Sequence, residues 1–436
     1  MSVSGKRIAT IIHFSVFILI LVTLSAGAMS LADKDNQNSI SKWTVILYFD
    51  GDQHETTYSL SDKMLADLQN LEKVATNEDV KFIVLMDLDG IDDTHLYRVE
   101  QNEVKEMPLS SINASWNNEV NMGDGNTLTQ FVCWAIINYP AEHYNLYLND
   151  HGGGWRGICV DENPIRDILN LTELKTSLIT IRDKIGRKID VISMDACLMS
   201  MVEVAYQLRD CADYMVASES FIHTHQTENG LFLNWRLDRI YSNLTANPDM
   251  DPSTFAITCV ENFRTDKAFI LPPSVVKPQA VDCISAVNLS AIAQVTELVD
   301  NLSKHLMIMK HLRFFIPFIF LKTQRFSGVF DFLGYTFYPY VDLYDFSKNV
   351  ATMMPYPEIK EQSGELMRSI ERTVIAERHG KNIMLGEHPG AHGLSIYFPY
   401  RMINYDSEYE NLDFSKDTHW DEFIRCHWLM KTNVSG

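Results

Sequence analysis

Two strand-like apolar runs, each ending in a reactive side chain, constrain this chain more than any other feature. Residues 146–148 lead through Asn-Asp to His151, and residues 189–194 lead through Asp-Ala to Cys197. Such runs are typical of buried strands, and in an open α/β sheet ligands bind beyond the carboxyl ends of the strands. The sequence therefore predicts that one histidine and one cysteine meet there, as a cysteine nucleophile requires.

Strand and helix patterns alternate along the N-terminal half of the chain. Unbroken apolar runs predict strands, and apolar residues at helical spacing predict the helices between them. The strands are expected at 43–49, 80–86, 146–148, 189–194 and 214–217, and the helices at 60–74, 127–138, 171–185 and 201–209. This order favours an α/β fold with a mainly parallel sheet that helices cover on both faces.

The alternation loosens beyond about residue 245. The patterns there predict helices at 253–263, 291–310 and 358–376, and a strand at 393–399. We therefore expect a catalytic domain over residues 43–245 and a smaller C-terminal α/β domain, residues 246–436, packed on it.

The N-terminal segment is expected to lie outside this fold. Lys6 and Arg7 precede a mostly apolar run over residues 8–24, and small residues follow up to Ala28. This is the pattern of a secretory signal over residues 1–28, with cleavage after Ala28 or Ala32 and a polar linker over residues 29–42. The alternative is an uncleaved membrane anchor, since roughly 17 apolar residues reach the short limit for a span. Either interpretation predicts a secreted or cell-surface protein.

The chain is strongly acidic, with a formal charge of −20, which becomes −22 when Lys6 and Arg7 leave with residues 1–28. Such a charge disfavours nucleic acid and anionic membrane surfaces as partners and favours basic substrates. Contact with a membrane is expected only through an uncleaved N-terminal segment.

The seven cysteines are odd in number, so a secreted chain of this composition keeps at least one free thiol. No Cys-x-x-Cys pair indicates zinc. We expect Cys197 to be free and to stand just before a helix that begins near Met199, where a thiolate is favoured. The glycines after His151 make the N–H groups of Gly152 and Cys197 candidates for an oxyanion hole. The alternative is a structural cysteine and an unrelated loop histidine.

Other chemistries find less support in the sequence. A serine esterase needs a Gly-x-Ser-x-Gly elbow and a zinc peptidase a His-Glu-x-x-His helix, and the chain contains neither. A metal site formed by His223 and His225 with Glu219 and Glu228 is the remaining possibility, although two histidines in a polar loop are more often solvated.

With these motifs in place, the chain resembles the clostripain family of cysteine peptidases, relatives of the caspases, gingipains and legumains. The resemblance spans most of the chain after residue 42. It rests on segments 43–45, 120–124, 149–155, 195–199, 203–206, 217–219, 340–346 and 393–399.

The resemblance implies a caspase-like three-layer sandwich and hydrolysis of peptide bonds through a thioester. Cys197 would be the nucleophile and His151 the general acid that protonates the leaving amine. The family cleaves after Arg, or after Lys, and Asp195 matches its acidic position two residues before the nucleophile. A carboxylate partly removed from water pairs well with a guanidinium, although Asp195 as a helix cap is the alternative.

The loop over residues 220–229 is longer than the family usually has, so the second acidic specificity residue is open, and Glu228 is our choice. Family members are often zymogens cut between the histidine and the cysteine. We therefore expect self-cleavage between Arg166 and Asp167, with Arg156 as the second choice and an uncut surface loop as the alternative.

The resemblance implies no obligatory cofactor, but some relatives use calcium. The loops at residues 50–52 and 87–89 offer oxygen ligands, or are simply solvated. Two rival functions remain open: an inactive relative that binds basic peptides without cutting them, and, more distantly, a thioesterase or other acyl transferase.

Overall fold

The computed structural model describes most of the chain after residue 39. The described ranges are 40–52, 59–74, 77–163, 165–222, 225–227, 230–232, 234–264, 282–326, 339–354, 356–380, 390–399 and 404–428. The described residues from Ser41 onwards belong to one compact unit. The expected signal, residues 1–28, and nearly all of the linker lie outside the described residues. Within the described ranges, no helix is both long and apolar enough to cross a membrane.

The centre of the fold is a nine-stranded sheet, and its strand order is β14-β12-β9-β8-β5-β1-β2-β3-β4. Three two-stranded pairs, β6-β7, β10-β11 and β13-β15, lie outside it. In chain order the strands are β1 (Ser41–Asp50), β2 (Val80–Asp87), β3 (His95–Glu100), β4 (Glu103–Met107), β5 (Ala141–Asn149), β6 (Ile158–Asp161), β7 (Asp167–Leu169), β8 (Ile189–Asp195), β9 (Ala212–Ala217), β10 (His225–Thr227), β11 (Gly230–Phe232), β12 (Cys283–Asn288), β13 (Tyr340–Asp342), β14 (Val374–His379) and β15 (Ser395–Tyr397).

Strands β9, β8, β5, β1 and β2 are parallel to one another, and antiparallel strands close the sheet at both edges. The parallel strands are apolar on both faces because helices cover both faces. Alternate residues of β1 show this: Ile46 and Tyr48 pack into one core, while Val45 and Leu47 pack into the other. The fold is thus a three-layer α/β sandwich.

The helices form the two outer layers. Helices α1, α5 and α6 pack on one face of the sheet, and α2, α3, α4 and α7 pack on the other. The helices are α1 (Leu60–Glu72), α2 (Gly125–Asn138), α3 (Leu171–Ile185), α4 (Val202–Leu208), α5 (Leu237–Ala246), α6 (Pro252–Asn262), α7 (Ile292–Ile308), α8 (Ile316–Lys322), α9 (Leu343–Met353), α10 (Pro357–Thr373), α11 (Asp413–Asp417) and α12 (Trp420–Trp428).

Most predicted elements are found with small shifts at their ends, and α3 begins and ends where predicted, between the Asn170 cap and Gly186. The helix expected over residues 358–376 was too long, because the chain turns at Thr373 into edge strand β14. The sheet also continues across the expected boundary at residue 245, since β12 and β14 come from the C-terminal half and pair with the strands of the first half.

Candidate active site

The register between strands β5 and β8 brings the predicted histidine and cysteine together. The two strands are parallel, and Asn149 pairs with Asp195 at their carboxyl ends. His151 and Cys197 therefore each follow a paired strand end by two residues, and both are partly buried. The N–H of Asp150 donates to the carbonyl of Asp195 at 3.4 Å, which holds the two loops against each other.

Gly152 is where the histidine loop lies closest to the cysteine loop. A Cβ atom built on Gly152 would lie 2.2 Å from the carbonyl oxygen of Cys197 and 3.0 Å from its nitrogen. No side chain fits at such a distance, so only glycine permits this approach. The N–H groups of Gly152 and Cys197 remain the predicted oxyanion hole.

Neighbouring elements fix the shape of the histidine loop. The Gly153 N–H donates to the carbonyl of Gly157 at 2.9 Å, and Gly152 forms an isolated antiparallel bridge with Ile158. The hydroxyl of Tyr340, on β13, donates to the carbonyl of Gly153 at 2.6 Å. A residue of the C-terminal half thus positions the loop that carries His151.

The Cys197 thiol accepts a backbone hydrogen bond and has a raised pKa. The N–H of Ile222 donates to Sγ at 3.2 Å. Burial raises the pKa of Cys197 to about 12, and neighbouring carboxylates add to this, although the Ile222 N–H acts the other way. A thiol with this pKa is a poor nucleophile at neutral pH, so the arrangement is a latent one.

The expected helix N-terminus beside the cysteine is wrong. Helix α4 begins only at Val202, five residues after Cys197. Between them the chain makes a tight turn, because Leu198 has φ of +67° and its N–H donates to the carbonyl of Ser220 at 3.0 Å. Helix α4 therefore does not lower the pKa of the thiol.

Asp195 lies two residues before Cys197, and its carboxylate is not accessible to solvent. It is 3% exposed, and its Oδ2 accepts hydrogen bonds from the ammonium of Lys63 at 2.5 Å and from the hydroxyl of Tyr147 at 2.8 Å. Lys63 also pairs with Asp67 at 2.9 Å. Asp195 does not cap a helix, since β8 ends there. Its role in binding substrate stays a prediction.

The remaining loop predictions fall largely outside the described residues. Glu228 and His223 lie there, and of His225 only its backbone position in β10 is described. Glu219 is described and is 1% exposed; its Oε2 accepts the N–H of Gly393 at 2.8 Å. Burial, together with the nearby carboxylate of Asp342, raises the pKa of Glu219 well above its ordinary value. Glu219 therefore does not point into the polar loop as a metal ligand.

The two predicted processing residues differ in accessibility. Arg166 is exposed, and it directly precedes Asp167, the first residue of β7. Arg156 is instead held by Asp406 at 3.2 Å and stacks on Trp155 at 4.6 Å. Arg166 is therefore the more accessible of the two.

A buried acidic cluster lies beyond the ends of β1 and β2, next to the histidine loop. Three overlapping groups place ligand atoms within 4.8 Å of one another: Asp50, Asp150 and Cys159; Asp50, Asp87 and Asp161; and Asp52, Asp87 and Glu119. Asp50 is fully buried, and neither of its carboxylate oxygens accepts a hydrogen bond. Unpartnered buried oxygens are costly, and Ca²⁺ binds six to eight oxygen ligands in sites of this kind. The described carboxylates therefore fit a calcium ion.

The carboxyl groups of this cluster have raised pKa values. Burial raises the pKa of Asp87 to about 9 and that of Asp161 to about 7. Burial and the surrounding carboxylates also raise the pKa of Asp50 well above its ordinary value.

All seven cysteines are free thiols, and five of them are buried. The two that are not buried are Cys197 and Cys426. Cys197 is thus free, as predicted, and none of the seven cysteines forms a disulfide.

Comparison with known proteins identifies the family to which the chain belongs. The sequence pattern of the clostripain family matches residues 47–428. Clostripain from Hathewaya histolytica is 23% identical over 446 residues, covering 89% of this chain and 80% of that protein.

Two solved structures also share the fold over most of the chain. One is an inactive zymogen C11 protease from Parabacteroides distasonis, at 20% identity and a TM-score of 0.61, covering 87% of this chain and 99% of that one. The other is a secreted C11 cysteine protease from Bacteroides thetaiotaomicron, "iotapain", at 16% identity and a TM-score of 0.63, with the same coverage.

The family match and the shared fold show a cysteine peptidase with a caspase-like α/β fold, as the sequence predicted. The chain belongs to the clostripain family of cysteine peptidases.

Sequence reasoning missed the residues that surround the predicted ones. Lys63, Asp67 and Tyr147 enclose Asp195, and Ile222 and Tyr340 hold the two loops. Only Lys63 and Asp67 left a signal, since opposite charges four residues apart lie on one side of a helix.

Proposed function

We propose that the protein is a secreted cysteine endopeptidase that hydrolyses peptide bonds after basic residues, Arg or Lys. The observation that carries the proposal is the close approach of the two loops at Gly152, where a Cβ atom would lie 2.2 Å from the Cys197 carbonyl oxygen. A nucleophile and a general acid need this proximity to act on one substrate carbonyl.

In the proposed reaction the Cys197 thiol gives its proton to His151, and the resulting thiolate attacks the carbonyl carbon of the scissile bond. The N–H groups of Gly152 and Cys197 stabilise the negative charge on the carbonyl oxygen. His151 gives its proton to the leaving amine, the C–N bond breaks, and a thioester forms. Water then attacks the thioester, which releases the carboxylic acid and restores the thiol.

The preference for a basic residue before the scissile bond rests on the acids near the nucleophile. The carboxylate of Asp195 lies two residues from Cys197, and Asp150 and Asp282 are also close enough to raise the pKa of its thiol. The negative potential of these carboxylates attracts a cationic side chain.

Activation by self-cleavage accounts for the latent thiol. In the uncut chain the Cys197 thiol is hydrogen-bonded to the backbone of Ile222, and a cut between His151 and Cys197 would let the loops around the thiol rearrange. The exposed bond between Arg166 and Asp167 is the proposed cut, and residues 1–28 are the proposed secretory signal.

Calcium is proposed as an optional ion at the buried acidic cluster. Asp50, Asp87 and Asp161 would hold it, with Asp150, Asp52 and Glu119 nearby. Its positive charge would neutralise these carboxylates and fix the strand ends beside His151.

The second candidate function is an inactive relative that binds basic peptides. The observation in its favour is the partly buried Cys197 thiol, whose pKa of about 12 opposes thiolate formation.

Fluorogenic peptides ending in Arg, Lys, Asn or Asp separate the two functions. Wild type and Cys197→Ala are assayed with and without calcium, before and after trypsin cuts the exposed loop at Arg166. We expect cleavage after Arg and Lys by wild type alone, and labelling of Cys197 by a peptidyl-arginine chloromethyl ketone. Binding of Arg peptides without any hydrolysis or labelling would establish the inactive relative instead.

A further inference from the structure

The side chain of Lys63 forms an ion pair with Asp195, the acid that the resemblance to clostripain assigns to substrate binding. Lys63, on α1, is buried, and its ammonium lies 2.5 Å from Asp195 and 2.9 Å from Asp67. It also donates to Oδ1 of Asn149 at 3.2 Å. The ammonium therefore sits between two carboxylates beneath the nucleophile loop.

The position of Asp195 along the chain makes this contact relevant to substrate. Asp195 ends β8, and Cys197 follows two residues later, so their Cα atoms are at most about 7 Å apart. The Asp195 carboxylate is therefore close to the nucleophile along the chain, and a substrate side chain would reach it only once Lys63 has moved away. The same carboxylate contributes to the raised pKa of the Cys197 thiol.

The charges of Lys63, Asp67 and Asp195 do not sum to zero. Two carboxylates face one ammonium, so the group carries a net charge of −1 when both acids are ionised. Burial raises the pKa of Asp67 to about 6, despite the opposing effect of Lys63. Burial alone would lower the pKa of Lys63, but Asp195 and Asp67 outweigh it and leave that pKa raised, so the lysine is charged at neutral pH.

We propose that Lys63 is a specificity-determining residue that competes with the substrate's basic side chain for Asp195. The inference rests on the proposed function, since it concerns the same substrate site. In the free protein, Lys63 holds Asp195. When an Arg or Lys side chain enters, the ammonium shifts toward Asp67, which lies four residues along the same helix, and leaves Asp195 to the substrate.

This arrangement favours Arg over Lys as substrate. A guanidinium binds a carboxylate through two parallel N–H bonds, whereas an ammonium offers the same single-point contact as Lys63 itself. An arginine therefore displaces Lys63 more readily than a second lysine does. The competition acts on substrate binding, so it raises KM more than it lowers kcat.

Two variants change the competition in opposite directions. Asp67→Asn removes the second partner of Lys63, so the ammonium is held by Asp195 alone and Arg cleavage falls. The double variant Lys63→Met/Asp67→Asn leaves only Asp195 charged, so the net charge of −1 is unchanged while the competitor is gone. We expect its kcat/KM for Arg peptides, relative to Leu peptides, to rise about tenfold, mainly through KM.

Binding without chemistry provides the second measurement. Acetyl-arginine amide is titrated by calorimetry into Cys197→Ala protein that carries Lys63, Asp67→Asn or the double substitution. We expect the affinity to be weakest for Asp67→Asn and strongest for the double variant. Thermal unfolding checks that each variant is folded, and Asp67→Asn alone decides the question if the double variant does not fold.

The outcomes separate the two proposals. Absence of hydrolysis by every form, with the expected order of affinities, would reject the peptidase and keep the role of Lys63. Hydrolysis after Arg with the same Arg-to-Leu ratio in all three forms, and equal affinities, would reject the role of Lys63 and keep the peptidase.

Discussion

Gly152 and Cys197 approach each other more closely than any side chain would allow. A methyl group on Gly152 would lie 2.2 Å from the carbonyl oxygen of Cys197, so Gly152→Ala must push the two loops apart. Displacement of a catalytic group by about 1 Å costs roughly 100-fold in rate. We expect kcat/KM to fall by about that factor in a kinetic assay of cleaved protein.

A glycine far from the site provides the control. Gly364 lies within α10, and a Cβ there would meet only Arg368 Nη1, at 3.4 Å. Gly364→Ala should leave activity unchanged and stabilise the protein by about 0.5–1 kcal/mol, because alanine favours a helix. Equal activity of the two alanine variants would contradict the close approach at Gly152.

The raised pKa of the Cys197 thiol should determine how its rate of alkylation depends on pH. Because burial raises the pKa of Cys197 to about 12, the thiolate fraction of uncut protein grows with pH throughout the accessible range. The iodoacetamide rate should therefore rise about tenfold per pH unit from about pH 7 to about pH 10, without a plateau.

The alkylation is measured in a Cys426→Ser background, since Cys426 is the other cysteine that is not buried. Protein cut after Arg166 should react faster near neutral pH, because the segment containing Ile222 has moved. A pH-independent rate in uncut protein near pH 7 would mean that the thiolate already exists and that the site is not latent.

The sequence predicted the structure best where a local pattern of residues determines a single helix or strand. The two strands that end at Asn149 and Asp195 are continuous apolar runs, and their parallel pairing follows from the βαβ order, so the adjacent positions of the loops that carry His151 and Cys197 were predictable. The first three residues of edge strand β14 were predicted as the end of a helix, because β14 continues directly from α10 without an intervening loop.

The residues that surround Asp195 could not be predicted from the sequence. A lysine on a helix normally extends into solvent, and nothing near Lys63 in the chain indicates that it is buried. Its position depends on the packing of α1 over the ends of β5 and β8, where Tyr147 and Asp195 lie. A tertiary contact of this kind has no local signature.

Self-cleavage should depend on Arg166 rather than Arg156. Arg166→Ala is expected to keep the chain uncut, since Arg166 is exposed beside the start of β7. Gel electrophoresis and N-terminal sequencing would show two fragments for wild type, with the second beginning at Asp167, and a single chain for Arg166→Ala and Cys197→Ala.

Arg156→Ala is the informative comparison. It removes the ion pair with Asp406 and the stacking on Trp155, so we expect a lower melting temperature but the same fragments as wild type. Fragments that begin at Gly157 would place the cut at the alternative site.

Calcium should stabilise the protein more strongly as the pH rises. The carboxyl pKa values of Asp87 and Asp161 are about 9 and about 7 in the folded protein, against about 4 in an unfolded chain. Without calcium, the folded state therefore binds more protons, and its stability is lost as the pH rises from about 4 to about 9. Calcium binds the deprotonated cluster, so it should offset this loss at high pH and have little effect near pH 5.

Thermal unfolding in calcium chloride and in EGTA, at several pH values, measures the difference directly. Asp50→Asn should remove most of the calcium effect, because Asp50 belongs to two of the three ligand groups and has no other partner for its carboxylate oxygens. Asp249→Asn, which removes an acid that is 84% exposed, should leave the effect intact. The cluster is not a calcium site if the two melting curves coincide at every pH, or if Asp50→Asn responds to calcium as wild type does.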